Sequence, residues 1–155
     1  MGADVRIGII SDTHGLLRPE AIERLAGAHH IIHAGDIGSP EVIAELRKIA
    51  PTTAIRGNVD GGAWAADYPH TALVKLGGRL IYVLHNLKEL DIDPAARGID
   101  VVVSGHSHQP KIESVGTVLY LNPGSAGPRR FTLPIALATL ELTRDALRPR
   151  IHDVG

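Results

Sequence analysis

Along the first third of the chain, apolar positions switch between two periods. Residues 5–10 (VRIGII) form a short, nearly unbroken apolar run, the pattern of a strand buried on both faces. Residues 19–27 (PEAIERLAG) space their apolar positions as a helix does, with Pro19 in the first turn and Gly27 past the end. Residues 29–34 (HHIIHA) read as a second strand. Residues 39–50 (SPEVIAELRKIA) read as a second helix, with Ser39 at the N-cap and Pro40 in the first turn. Residues 52–56 (TTAIR) supply a third strand. A strand–helix–strand–helix–strand order predicts a parallel sheet with right-handed crossovers.

The pattern then becomes strand-rich. Residues 71–76 (TALVKL) and 79–85 (RLIYVLH) flank Gly77-Gly78 and predict a hairpin. A short helical piece is expected around residues 93–98 (DPAARG), and residues 100–105 (DVVVSG) are another buried strand. Residues 111–115 and 117–122 predict a second hairpin around Gly116, and residues 134–142 and 147–154 the last strands. Many strands and few helices predict an α/β fold of two sheets packed face to face, with helices outside.

Composition narrows the function classes. A chain of 155 residues, 44% apolar, fits one domain over residues 1–155 with a sizeable core. The balance of 16 basic and 17 acidic residues argues against an extended nucleic-acid surface. No apolar run approaches the ~20 residues of a membrane span, and no secretory signal pattern opens the chain. A soluble, cytoplasmic protein is the expectation. With no cysteine, any metal site must use nitrogen and oxygen donors. Nine histidines against 3% aromatic residues point toward a site more than toward packing.

Those donors fall in a pattern. Five strand-like runs end in residues suited to bind a metal: Asp12 and His14, Asp36, Asn58, His85, and His106 with His108. The carboxyl ends of parallel strands open on one crevice, so these seven side chains should converge. Gly35, Gly57 and Gly105 directly precede a donor and should let the backbone turn tightly and approach closely. Oxygen and imidazole donors without sulfur suit manganese, iron, zinc, cobalt or nickel. Seven donors exceed one tetrahedral ion, but suffice for two divalent metal ions if a carboxylate bridges. Asp36, on the strand between those of Asp12 and Asn58, is the expected bridge. Asp36, Asn58 and His85 are read as catalytic as well as ligating.

The ordered segments SDTHG, HAGDI, GNVD, LHN, SGHSH and NPGS, spread over residues 5 to 127, resemble those of the calcineurin-like metallophosphoesterases. The similarity is greatest to their small single-domain bacterial and archaeal phosphodiesterase branch. The resemblance implies a four-layer αββα sandwich of two mixed sheets. It implies one metal at Asp12, His14, Asp36 and His108 and another at Asp36, Asn58, His85 and His106, manganese foremost. It also implies that a water or hydroxide between the metals attacks a small phosphoester, and that the chain forms a homodimer or larger assembly.

Two positions depart from the wider pattern. Val59 stands where many relatives carry a histidine able to protonate the leaving group, which predicts a preference for diesters or activated esters. Asn86 stands where glycine is common, and its amide is expected to crowd the site mouth. The competing readings are a phosphomonoesterase or nucleotidase with the same metals, and a non-catalytic scaffold of the same fold.

Elsewhere the plain reading is structural. His29, His30, His70 and His152 lack any partner pattern, and His33, three residues before Asp36, reads first as a strand residue and otherwise as a support behind the ligands. Asp60 reads as a loop brace, and Arg129 and Arg130 as a basic loop that could instead hold a phosphate. Residues 61–69 (GGAWAADYP) read as an exposed apolar loop over the site mouth or a subunit contact.

Overall fold

The computed structural model describes residues 4–155. Ten strands build two five-stranded sheets. The first holds β1 (Val5–Ile10), β2 (His30–His33), β3 (Thr52–Ala54), β9 (Ala136–Leu142) and β10 (Leu147–Asp153), in the order β10-β9-β1-β2-β3. The second holds β4 (Thr71–Leu76), β5 (Arg79–Leu84), β6 (Val101–Val103), β7 (Lys111–Val115) and β8 (Val118–Asn122), in the order β4-β5-β6-β8-β7. β1, β2 and β3 run parallel, as do β5, β6 and β8, while β9 pairs antiparallel with β1 and β10, and β4 and β7 pair antiparallel with β5 and β8. Both sheets are therefore mixed, as expected.

Alternation along the strands sorts side chains into layers. Ile7, Ile9, Ile32 and Ile55 face Ile81, Val83, Val101, Val103, Leu119 and Leu121 across the gap between the sheets. Each such buried side chain stabilises the fold by roughly 1.5–3 kcal/mol. The alternate residues Ile10 and Ile31 pack under α1 (Pro19–Leu25) and α2 (Pro40–Arg47) through Leu25, Ile43 and Leu46. Ser39 occupies the N-cap of α2 with extended backbone, although its hydroxyl makes no capping bond. The fourth layer is thin. Leu90 and Ile92, between the 3-10 turns Leu87–Glu89 and Ala95–Arg97, cover Leu84, Val102 and Val118. The helical piece expected at residues 93–98 is thus one 3-10 turn, ended by Gly98 at φ 71°.

Both hairpins form. Gly77 and Gly78 have φ of 55° and 77°, the left-handed pair of a type I′ turn, whose twist matches that of the strands. The loop at residues 61–69 is exposed at most positions, as expected, but is anchored by its apolar side chains. Ala65 is buried, and Trp64 and Tyr68 tuck against the helix-side core, because those rings gain more from that core than from solvent.

Candidate metal centre

All the predicted donors lie on loops leaving the carboxyl ends of β1, β2, β3, β5 and β6, where the two sheets meet. The β1 and β2 loops continue as a paired ribbon: Asp12 N–H donates to Gly35 O at 2.9 Å, His14 N–H to Asp36 O at 3.0 Å, and Gly15 N–H to Ile37 O at 2.7 Å. Five of the seven donors sit in left-handed backbone: Asp12 (φ 55°), His14 (48°), Asp36 (55°), His106 (69°) and His108 (62°). Such residues cost roughly 1–3 kcal/mol each and concentrate at functional sites. Asp and His tolerate the region better than most, so donor and turn-former can be one residue.

This refines the glycine reading. Only Gly35 has positive φ, 102°. Gly57 and Gly105 serve by close approach. A Cβ on Gly57 would overlap Asp36 N and Oδ1, and one on Gly105 would overlap Ser11 Oγ and come within 2.6 Å of Asp12 Oδ2.

Each carboxylate has one oxygen anchored and one turned inward. Asp12 Oδ2 accepts from Ser11 Oγ at 2.7 Å and from His106 N–H at 3.2 Å. Its Oδ1 lies 3.3 Å from His108 Nε2 and 3.8 Å from His85 Nε2. Asp36 Oδ1 accepts from Val59 N–H at 3.0 Å, and its Oδ2 lies 3.1 Å from His85 Nε2 and 3.8 Å from His14 Nε2. His14 and His108 stand 5.5 Å apart by ring centroid, His85 and His106 5.3 Å.

Burial alone would raise the Asp36 carboxyl. The His85 imidazole, the Val59 N–H and the charges of His85 and His14 outweigh it and hold the group well below the usual carboxylate range. Burial likewise disfavours charge on His85, yet the adjoining Asp36, the Ala34 carbonyl and the Asp12 charge raise it.

These atoms fit a cation. His85 Nδ1 donates to Ala34 O at 2.8 Å, which turns Nε2 toward two carboxylate oxygens, where positive charge, as a proton or a cation, is favoured. Lone pairs facing lone pairs repel unless positive charge lies between them. A backbone carbonyl on the far ring nitrogen is also how ligating histidines are oriented. Asp12 Oδ1, His14 Nε2, His85 Nε2 and His108 Nδ1 are buried without a hydrogen-bond partner. Among the described residues, two groups bring their donor atoms within 4.8 Å of one another: Asp12, His14 and His108, and Asp12, Asp36 and His85. Asp12 is common to both, while Asp36 Oδ2 faces one histidine of each predicted set. His106 and Asn58 are exposed at the mouth, Asn58 on the loop whose Gly57 and Val59 clasp Asp36.

Several supports escaped sequence reasoning or were only half seen. Asp60 braces as expected: its carboxylate accepts from Ile37, Gly38 and Gly57 N–H at 3.0, 2.9 and 2.9 Å, tying the β2 loop to the β3 loop. Asn122 Nδ2 donates to Gly105 O at 3.0 Å and Ser107 Oγ at 3.1 Å, and Ser125 Oγ donates to Asp12 O at 3.0 Å. The NPGS turn thereby joins loops that lie far from it in the chain. Asn86 does not plug the mouth, because its Oδ1 accepts from Lys88 N–H at 3.1 Å and caps the following turn.

His33 is more than a strand residue. Its Nδ1 accepts from Gly35 N–H at 3.1 Å, so the proton sits on Nε2 and is donated to Thr13 Oγ1 at 2.9 Å. Thr13 in turn donates to Ile37 O at 2.8 Å. Burial, opposed by the charges of Asp12, Asp60 and Asp36, lowers the His33 pKa from 6.5 to about 4. The folded protein therefore resists protonation that the unfolded chain accepts below 6.5, and stability falls as pH drops from 6.5 to 4. At ~1.4 kcal/mol per unit, His33 accounts for roughly 3 kcal/mol of loss across that window. Urea melts of chelator-treated protein should show that much less pH dependence in His33→Gln. Parallel curves for the two proteins would contradict it.

The other histidines do structural work. His29 Nδ1 accepts from Arg6 N–H at 2.9 Å, His70 Nε2 from Arg56 Nε at 3.1 Å, and His30 and His152 pair with Thr53 and Thr139 at 2.8 Å. Arg129 is held locally by Leu133 O at 3.2 Å.

The profile of the calcineurin-like phosphoesterase superfamily domain matches residues 5–145. A probable metallophosphoesterase of Methanothermobacter thermautotrophicus is 34% identical over 161 residues, covering 96% of this chain and 92% of its own. The solved structure of an archaeal phosphodiesterase superposes with a TM-score of 0.78 at 28% identity, covering 96% of this chain and all of its own. Vacuolar protein sorting 29 of Cryptosporidium parvum shares the fold, with a TM-score of 0.77 at 18% identity over 97% of each chain.

Proposed function

Since the chain belongs to the calcineurin-like phosphoesterase superfamily, we propose that it is a metal-dependent phosphodiesterase acting on small phosphoesters with two divalent ions. Manganese leads, with iron, zinc, cobalt and nickel as alternatives for this donor set. The observation that carries the reading is the convergence of the partnerless buried atoms Asp12 Oδ1, His14 Nε2 and His85 Nε2, with His108 Nε2 3.3 Å from Asp12 Oδ1. Asp12, His14, Asp36 and His108 would hold one ion, and Asp36, Asn58, His85 and His106 the other. Bound there, the pair would supply Lewis acidity toward the phosphoryl oxygens and lower the pKa of a water.

The chain's own residues do the rest. Asp36 stays ionised, with Oδ1 held by the Val59 N–H and Oδ2 left for the ions. His85 is fixed in rotation by the Ala34 carbonyl. Asn58 and His106, exposed at the mouth, would hold their ion from the side open to an ester. Val59 is 56% exposed beside them and has no proton to give a departing alkoxide.

The missing acid favours diesters over monoesters. General acid catalysis is worth about 10²–10⁴-fold. Aryl diesters should therefore exceed simple alkyl monoesters in kcat/KM by ~10² or more, and a panel in which alkyl monoesters led would reverse the assignment. Elemental analysis should find about two divalent ions per chain. Protein that stayed inert on every ester when loaded with manganese would favour the scaffold reading. The filled donor set weighs against a scaffold, because unpaired buried carboxylates and imidazoles are costly to keep without a ligand.

A further inference from the structure

Two clefts flank the candidate metal centre, and they differ in charge. One, of about 930 Å³, opens beside His106 and is lined by Lys88, Lys111, Arg130, Tyr120 and Phe131, with no carboxylate among its described lining residues. The other, of about 840 Å³, opens beside Asn58 and His85 and carries Asp60, Glu89 and Asp91 against Arg56. Asn86 stands between them and lines both.

Phe131 is the least explained residue of the chain. It is 88% exposed, with φ at 54°, on a turn closed by Leu133 N–H donating to Arg130 O at 3.1 Å. Left-handed backbone costs roughly 1–3 kcal/mol, and a Phe left in water forgoes about 1.5–3 kcal/mol. A ring so exposed recovers little of either from its own fold. Placed at the rim of a cleft, it can recover both against a ligand's flat face. Tyr120, half-buried on β8, lines the same cleft.

The charges define the rest of that ligand. Arg130 offers the planar fork that binds phosphate bidentately, and Lys88 adds a second positive charge. Lys111 is partly spent on Glu113 at 3.0 Å. A neutral or cationic group gains nothing from this wall, whereas an anion gains in both approach and binding.

Resting on the phosphodiesterase reading above, we propose that the cleft beside His106 receives one ester arm of the substrate, and that this arm carries an aromatic ring and a second anionic group, as a nucleoside phosphate does. Stacking on Phe131 contributes on the scale of ~1–3 kcal/mol per base, and Arg130 with Lys88 holds the extra charge. The substrate then has a direction, with its charged aromatic arm on the basic side and its other arm on the acidic side.

The test compares two diesters on the manganese-loaded full chain: a dinucleotide carrying a terminal phosphate, and methyl p-nitrophenyl phosphate. Arg130→Ala and Phe131→Ala should each lower the ratio of kcat/KM for the dinucleotide over the small diester by about tenfold or more. A ratio that does not fall overturns the proposal, as does one that rises in Glu89→Gln while staying constant in Arg130→Ala, which would put the arm in the acidic cleft. Binding is read separately by titrating metal-free protein with adenosine 3′,5′-bisphosphate. Affinity that weakens about tenfold in both variants supports the site even if no diester is hydrolysed. No binding, or binding equal in wild type and variants, overturns it. Failure on the small diester alone counts against the phosphodiesterase reading and not against the cleft.

Discussion

Asp36→Asn should lower kcat/KM on aryl diesters by roughly 10³-fold or more, the scale of losing several kcal/mol of metal-borne charge stabilisation. The substitution keeps an oxygen for the Val59 N–H, so the β2 loop retains its anchor. It replaces Oδ2, the atom 3.1 Å from His85 Nε2 and 3.8 Å from His14 Nε2, with an amide that cannot bridge two cations. Metal content measured alongside should fall below the wild-type level. The melting temperature of the chelated protein should fall modestly, because the ionised carboxylate that His85 and the Val59 N–H favour in the fold is lost. Full turnover in Asp36→Asn would show that Asp36 is not the shared ligand, and Asp12, common to both donor groups, would take that role.

The second large effect is expected from a single methyl group. In Gly57→Ala the new Cβ overlaps the backbone nitrogen and Oδ1 of Asp36, so the β2 and β3 loops must part. Overpacking of this kind costs about 1–3 kcal/mol, occasionally more, and each kcal/mol lowers Tm by about 2–4 °C in a chain of this size. The loops cannot part without moving Asp36 Oδ2 off His85, so metal affinity and turnover should fall with Tm. Gly61→Ala, four residues on, meets nothing within 4 Å and is the matched control. If Gly57→Ala kept wild-type metal content, the close approach of the two loops would not be what sets the site.

Much of this was legible in the chain. VRIGII, HHIIHA and DVVVSG announced central strands because residues buried on both faces must be apolar throughout, and each became one. Gly77-Gly78 announced its hairpin because the favoured two-residue turns need positive φ, which glycine adopts at no steric cost. The donors were legible because parallel strands end on a common edge, and the structure gathers Asp12, His14, Asp36, His85, His106 and His108 there, with Asn58 at the rim. The helix-side docking of Trp64 and Tyr68 was not legible, since an apolar loop reads the same whether it faces solvent or a core.

Local order along the polypeptide decided the strands, the two helices, the turns and which side chains are candidates to hold metal, because each depends on the residue and its near neighbours. Tertiary structure decided which atoms meet. Asn122 reaches a carbonyl 17 residues away and Ser125 one 113 residues away, and no spacing encodes either. The same is true of the basic cleft, whose Lys88, Tyr120 and Arg130 come from separate loops and strands. Chain-local signals carry conformation over a few residues, whereas a charge pattern in space exists only once the two sheets have closed on each other.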